Sequence, residues 1–194
     1  MLDHLTSVPD VPPAVTAIVL VGPPATGKST VRNMFSDYGV AGCDLDDYHN
    51  TGRVVDDDWA GVVIETINEA DNSEPRVCCI EGPIEEKQVG FVREHTDSTL
   101  VIKIDATDRG DYVERYVERE LASLSANDDG MISESDITSL KTNVSRQHQV
   151  EAPYPDHDVA ITNSDELSTN DLSRRCGRIV QSVSNCEQLN VHQA

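Results

Sequence analysis

The stretch Ala17-Ile-Val-Leu-Val21-Gly22-Pro23-Pro24-Ala25-Thr26-Gly27-Lys28-Ser29-Thr30-Val31-Arg32-Asn33-Met34-Phe35 decides the fold of this chain. Its middle, Gly22 to Ser29, is a complete G-x-x-x-x-G-K-[ST] pattern. The apolar run before it has the character of a buried parallel strand. The residues after it continue as a helix with Val31, Met34 and Phe35 facing inward. Strand, glycine-bounded loop and helix are the parts of an anion trap. Glycines let backbone N–H groups close around phosphate oxygens at a helix N-terminus, where free donors and the helix dipole favour negative charge. Residues Gly22, Pro23, Pro24, Ala25, Thr26, Gly27, Lys28, Ser29 and Thr30 are therefore the expected triphosphate site. Lys28 would reach the β- and γ-phosphates and Ser29 would ligate Mg²⁺.

Working outward, 194 residues suffice for one α/β domain with a full core and a small lid. The expected division is a loose leader at 1–14, a core domain at 15–184 with a lid at about 115–149, and a frayed tail at 185–194. The chain carries 35 Asp and Glu against 15 Lys and Arg, a formal net charge of −20, and only four of those cations are lysine. Such a surface suits a salt-rich cytoplasm, where screening removes self-repulsion and carboxylates hold water, so a halophilic microbial source is expected. The sign argues against nucleic-acid binding, which needs a basic stripe. Five cysteines without C-x-x-C spacing are expected as buried free thiols. No stretch is apolar enough to span a membrane and no basic-then-apolar leader opens the chain, so a cytoplasmic location is expected.

Beyond the loop, the pattern alternates. Strands are predicted at Val40–Asp44, Val77–Glu81, Leu100–Asp105 and Asp158–Thr162. Helices are predicted at Trp59–Ala70, Glu85–His95, Asp108–Leu124 and Ser133–Gln149, with a last helix to about Val183. Five strands alternating with helices imply an α/β three-layer sandwich around a parallel sheet, the architecture of phosphate-loop nucleotide enzymes with a helical lid.

Carboxylates at the end of the second strand bear on chemistry. Asp44, Asp46 and Asp47 follow the loop closely and would face the ligand crevice. A carboxylate there can orient and deprotonate an acceptor hydroxyl while another, such as Asp46, binds Mg²⁺ through water. Arg115 and Arg119, one turn apart on a predicted helix, could supply the positive charge that a γ-phosphoryl transition state needs. The same spacing would serve surface ion pairs with Glu114, Glu118 and Glu120. Arg53 is a candidate for gripping an acceptor phosphate, and Arg32 reads as structural.

Several of these pieces together resemble the dephospho-CoA kinases. Gly27-Lys-Ser-Thr-Val-Arg-Asn-Met-Phe35 followed by Gly39-Val-Ala-Gly-Cys-Asp44-Leu-Asp46 is similar to that family's loop helix, Gly-Val and Asp-x-Asp pair. Arg115-Tyr-Val-Glu-Arg119 looks like its lid signature, and Asp158-Val-Ala-Ile-Thr-Asn-Ser164 like the segment against its nucleotide base. The resemblance implies an ATP-dependent small-molecule kinase with Mg²⁺ and a nucleotide-like acceptor. It implies Asp44 as base, Arg115 or Arg119 over the transferred phosphoryl, and Asn163 and Ser164 in the base pocket. The chain departs from the family at Glu81-Gly-Pro-Ile-Glu85, and Arg146 and Gln149 only approximate the later lid residues.

Two rival readings stand beside this one. An ATP-binding switch would need the loop but no acceptor pocket; Asn-Lys-x-Asp, which specifies guanine, is absent. Ser125 to Asp136 resembles a calcium loop with oxygen side chains at positions 1, 3, 5, 9 and 12, but its first ligand is Ser and its last is Asp.

Overall fold

β1 (Thr16–Val21) lies at the centre of the sheet, and all six of its residues are buried. The computed structural model of the chain describes residues 15–46, 59–106, 109–127, 137–142, 154–163 and 168–191. Within them β1 is flanked by β3 (Val77–Glu81) and β4 (Ser98–Ala106), with β2 (Ala41–Asp44) and β5 (Val159–Asn163) outermost. The order is β2-β3-β1-β4-β5 and every pairing is parallel. Helices must therefore cross back between strands and cover both faces, which is why β1 and β3 read as unbroken apolar runs.

Alternate residues of β1 enter different cores, as the two-residue period of a strand requires. Ala17, Val19 and Val21 meet Cys78, Ile80, Val62, Val63, Ile67, Val89 and Val92, the last five from α2 (Trp59–Asp71) and α3 (Glu86–His95). Ile18 and Leu20 meet Cys79, Ile102, Ile104 and Ile161. That second core is closed by Val31, Met34 and Phe35 of α1 (Lys28–Ser36) and by Leu172, Cys176 and Val180 of α5 (Thr169–Val191). The fully buried Phe35 side chain contributes on the order of 3 kcal/mol.

α4 (Arg109–Asn127) follows β4, and residues 137–142 form a short helical segment. Three expectations shift. β4 begins at Ser98, two residues ahead of the apolar run. Asn163, expected in a turn, is the last residue of β5 and pairs with Ala106. α5 continues to Val191, through most of the segment expected as a frayed tail. The leader at 1–14, Asp47, Arg53, Arg146, Gln149 and Ser164 lie outside the described residues. So does the calcium-loop candidate from residue 128 to 136; Ser125 and Asn127 belong to α4.

Cys43, Cys78, Cys79 and Cys176 are buried free thiols, as expected. Burial pushes Cys43 and Cys176 up to about 11 and Cys78 up to about 12, which keeps them protonated and unreactive. No helix among the described residues is long and apolar enough to cross a membrane.

Candidate active site

The chain leaves β1 at Gly22 with φ +140°, and a Cβ there would lie 2.2 Å from the backbone oxygen of Ile104. No other residue fits this exit. Ala25 then takes a left-handed turn at φ 61° and Gly27, at φ 96°, starts α1. The Thr26 hydroxyl donates to Pro23 O at 2.9 Å, and Asn163 Nδ2 donates to Thr26 O at 2.9 Å, so the loop is braced from within and from the end of β5. α1 has no side-chain cap and no acidic residue in its first turn. Its leading N–H groups and the positive end of its dipole are thus turned toward the cleft as an anion site.

Lys28 Nζ donates to Gly22 O and Pro23 O, each at 3.0 Å, which holds the ammonium over the loop. Burial lowers its pKa, opposed by the charges of Glu81, Asp46 and Asp44.

Those three carboxylates form the facing wall. In the β2–β3 register Asp44 is the partner of Glu81, so the two acids stand side by side at the carboxyl ends of adjacent strands. Asp44 Oδ1 accepts the Asp46 N–H at 2.9 Å, which fixes the chain as it turns away from β2. Glu81 is 1% exposed. Its Oε2 accepts from the Ser29 hydroxyl at 3.2 Å, while its Oε1 lies 3.1 Å from Arg32 Nε. That ion pair is not aligned as a hydrogen bond, and Oε1 is a buried oxygen with no hydrogen-bond donor. Burial first, then the charge of Asp44, raises the Glu81 carboxyl to about 7 against the opposing effects of Arg32, Ser29 and Lys28. Arg32 reaches Glu81 across Gly42, where a Cβ would crowd its Cγ at 3.2 Å. The structural reading of Arg32 thus acquires a definite content: it is the counter-charge beneath the acidic wall.

α4 brings its arginines to the opposite side. Arg115 Nη1 donates to Asn163 O at 3.4 Å. Arg119 lies over the Tyr116 ring at 5.0 Å and pairs with Glu120 at 2.9 Å. Both arginines nonetheless line one cleft of about 870 Å³ with the phosphate loop. Asp44, Asp46, Glu81, the Gly82–Glu85 segment and Tyr154 complete its walls. The structure therefore brings together Lys28, Ser29, Asp44, Asp46, Arg115, Arg119 and the loop, with Asn163 against the loop.

Among the described residues no three His, Cys, Asp or Glu side chains form a cage for a metal. Mg²⁺, however, usually takes one or two protein oxygens and completes its octahedron with phosphate and water. The Ser29 hydroxyl, the Glu81 Oε2 that accepts from it, and Asp46 on the same cleft fit that requirement.

Glu81 is the candidate site residue that the sequence reading passed over as a departure from a family pattern. Its signal was present: a lone carboxylate closing the buried run Val77-Cys-Cys-Ile, on a strand adjacent to the loop strand, faces the crevice at the sheet's carboxyl end.

No sequence family matches the chain, and no curated protein matches it. Solved structures do. Shikimate kinase from Bacteroides thetaiotaomicron superposes with a TM-score of 0.52 at 13% identity, covering 86% of this chain and 98% of that one. A kinase candidate from Chloroflexus aurantiacus gives 0.53 at 16% identity, covering 88% and 98%. At these identities the likeness shows the fold: this chain has the parallel five-stranded α/β sandwich on which the shikimate kinase is also built.

Proposed function

We propose that the chain is a small-molecule kinase that transfers the γ-phosphoryl of ATP to an acceptor hydroxyl. The observation that carries this reading is the convergence of the phosphate loop, the paired carboxylates Asp44 and Glu81, and Arg115 and Arg119 on one cleft. A loop that only bound or hydrolysed nucleotide would need neither the second wall nor the space before it.

In this mechanism the α1 N-terminus and Lys28 hold the triphosphate, and Ser29, Glu81 and a water-linked Asp46 would hold Mg²⁺. When bound, the ion neutralises charge on the β- and γ-oxygens. Asp44 aligns the acceptor hydroxyl and takes its proton as the hydroxyl oxygen bonds to the γ-phosphorus. The bond from that phosphorus to the β,γ-bridging oxygen breaks and ADP leaves. Arg115 and Arg119 offset the charge on the transferring oxygens, so catalysis is positioning plus electrostatics.

The resemblance to dephospho-CoA kinases supports an acceptor of nucleotide type, with Arg53 on its phosphate and Asn163 and Ser164 bordering the donor base. The acidic surface supports a halophilic cytoplasm as the working environment.

The test is turnover in molar KCl with Mg²⁺ and ATP across a panel of hydroxyl acceptors. ADP formed only when an acceptor is present supports the kinase. Phosphate release independent of any acceptor supports an ATP-binding switch instead. Asp44→Asn should lower transfer by about two orders of magnitude or more while ATP still binds, and full activity would remove Asp44 from the base role.

A further inference from the structure

Lys28 and Arg115 line the same cleft from different helices, α1 and α4, yet one hydrogen-bonded path joins them. Arg115 Nη1 donates to Asn163 O at 3.4 Å, and Asn163 Nδ2 donates to Thr26 O at 2.9 Å. The hydroxyl of the buried Thr26 donates to Pro23 O at 2.9 Å, and the same oxygen accepts from Lys28 Nζ at 3.0 Å. Asn163 is the joint in this path: its backbone carbonyl serves the arginine and its side-chain amide serves the loop.

The fold gives that joint little slack. Asn163 ends β5 and is held in register with Ala106, the last residue of β4. α4 starts soon afterwards at Arg109, and Arg115 lies in its second turn, near the root where the chain leaves the sheet. On the loop side a Cβ at Gly27 would lie 2.4 Å from Asn163 Nδ2, so the loop and the strand end are already in close contact. Arg119 is held differently, over the Tyr116 ring at 5.0 Å and beside Glu120 of its own helix. Arg115 is thus the arginine whose contact with β5 refers its position to the loop.

We infer that Asn163 is a positioning residue for phosphoryl transfer, keeping Arg115 aligned with the triphosphate that the loop holds. This rests on the kinase reading. A cation lowers the barrier only where charge develops on the transferring oxygens, and an arginine on a helix that drifts relative to the loop misses that place. The β5 joint removes the drift before any ligand arrives. In this role Asn163 acts through Arg115 and Thr26, a task separate from any contact with the donor base.

The experiment is a cycle of Asn163→Ala, Arg115→Ala and the double variant in molar KCl with Mg²⁺, read in two ways. One readout is kcat with the best hydroxyl acceptor; the other is affinity for tripolyphosphate, which has no base, by calorimetry. Asn163→Ala leaves the backbone carbonyl in place and frees the loop, so kcat should fall about tenfold in wild type but less than about threefold once Arg115 is gone. Affinities for ATP and tripolyphosphate should weaken by the same factor, and that loss should likewise shrink in the Arg115→Ala background. Asn163→Leu, which keeps the volume and removes the donor, should reproduce the pattern and serves if alanine unfolds the end of β5. Equal losses in both Arg115 backgrounds, on either readout, overturn the inference, since a brace that only stabilises the loop costs the same with or without the arginine. A loss confined to ATP overturns it as well, because Asn163 would then act on the base. If no acceptor turns over, the kinase reading falls and the tripolyphosphate cycle still decides: coupling upholds the alignment of Arg115 with the bound triphosphate, and additivity overturns it.

Discussion

The Ser29 hydroxyl lies 3.2 Å from Glu81 Oε2, so the first turn of α1 and the end of β3 meet at a polar contact beside the phosphate loop. Glu81→Gln preserves the shape and the oxygen that accepts from Ser29 while deleting the charge. Affinity for ATP in the presence of Mg²⁺ should fall about tenfold or more, with affinity in EDTA nearly unchanged, by titration calorimetry in the two media. Equal loss in both would mean that Glu81 shapes the loop and takes no part in holding the ion.

The same carboxyl makes stability depend on pH. Glu81 rises from its ordinary value of 4.5 to about 7 in the folded chain, chiefly through burial. Between those values the folded state holds the proton more tightly than the unfolded chain does. The contribution is therefore fully present below pH 4.5 and is lost as pH rises through about 7. Its size is about 3 kcal/mol at ~1.4 kcal/mol per pH unit. Urea unfolding in EDTA at pH 5 and pH 8 should show wild type losing more stability than Glu81→Gln on going up in pH. Parallel curves would show that Glu81 is ionised throughout.

Much of this was legible from residue patterning because the signals were local. Five apolar runs each bounded by glycine, proline or a carboxylate marked the strands, and the loop marked the crevice. Their lateral order was not legible, since a parallel pairing joins residues as distant as Thr16 and Ser98. Glu81 escaped notice for a related reason. Its meaning comes from Ser29, Arg32 and Asp44, which only the β2–β3–β1 arrangement brings around it. The brace from Asn163 was illegible for the same reason, since its amide is tied to Thr26 across 137 positions.

That tie gives a steric prediction. A Cβ on Gly27 would sit 2.4 Å from Asn163 Nδ2, and the residue also has φ +96°. Gly27→Ala should therefore carry two costs, a backbone cost of about 1–2 kcal/mol and a clash that breaks the brace. Asn163→Ala alone removes a hydrogen bond that contributes about 1 kcal/mol. In the Asn163→Ala background Gly27→Ala should cost only its backbone share. A double-mutant cycle on unfolding free energy should show coupling of about 1 kcal/mol or more, and additivity would show that the loop moves freely relative to β5.

A second glycine tests how α5 is seated. Gly177 lies inside that helix, where alanine is ordinarily better by about 1 kcal/mol. Here a Cβ would lie 2.7 Å from the Tyr38 ring, whose hydroxyl donates to Ser173 O at 3.1 Å. Because Tyr38 is 38% exposed, its ring can swing out, giving up the hydrogen bond and the contact between the end of α1 and α5. Those losses, each about 1 kcal/mol, should cancel or exceed the propensity gain. Gly177→Ala should thus be neutral to destabilising in wild type but stabilising by about 1 kcal/mol in a Tyr38→Ala background, read from urea midpoints. The change of sign is the decisive feature: stabilisation in both backgrounds would mean that Tyr38 does not hold α5, and destabilisation in both would point to a different neighbour for the added methyl.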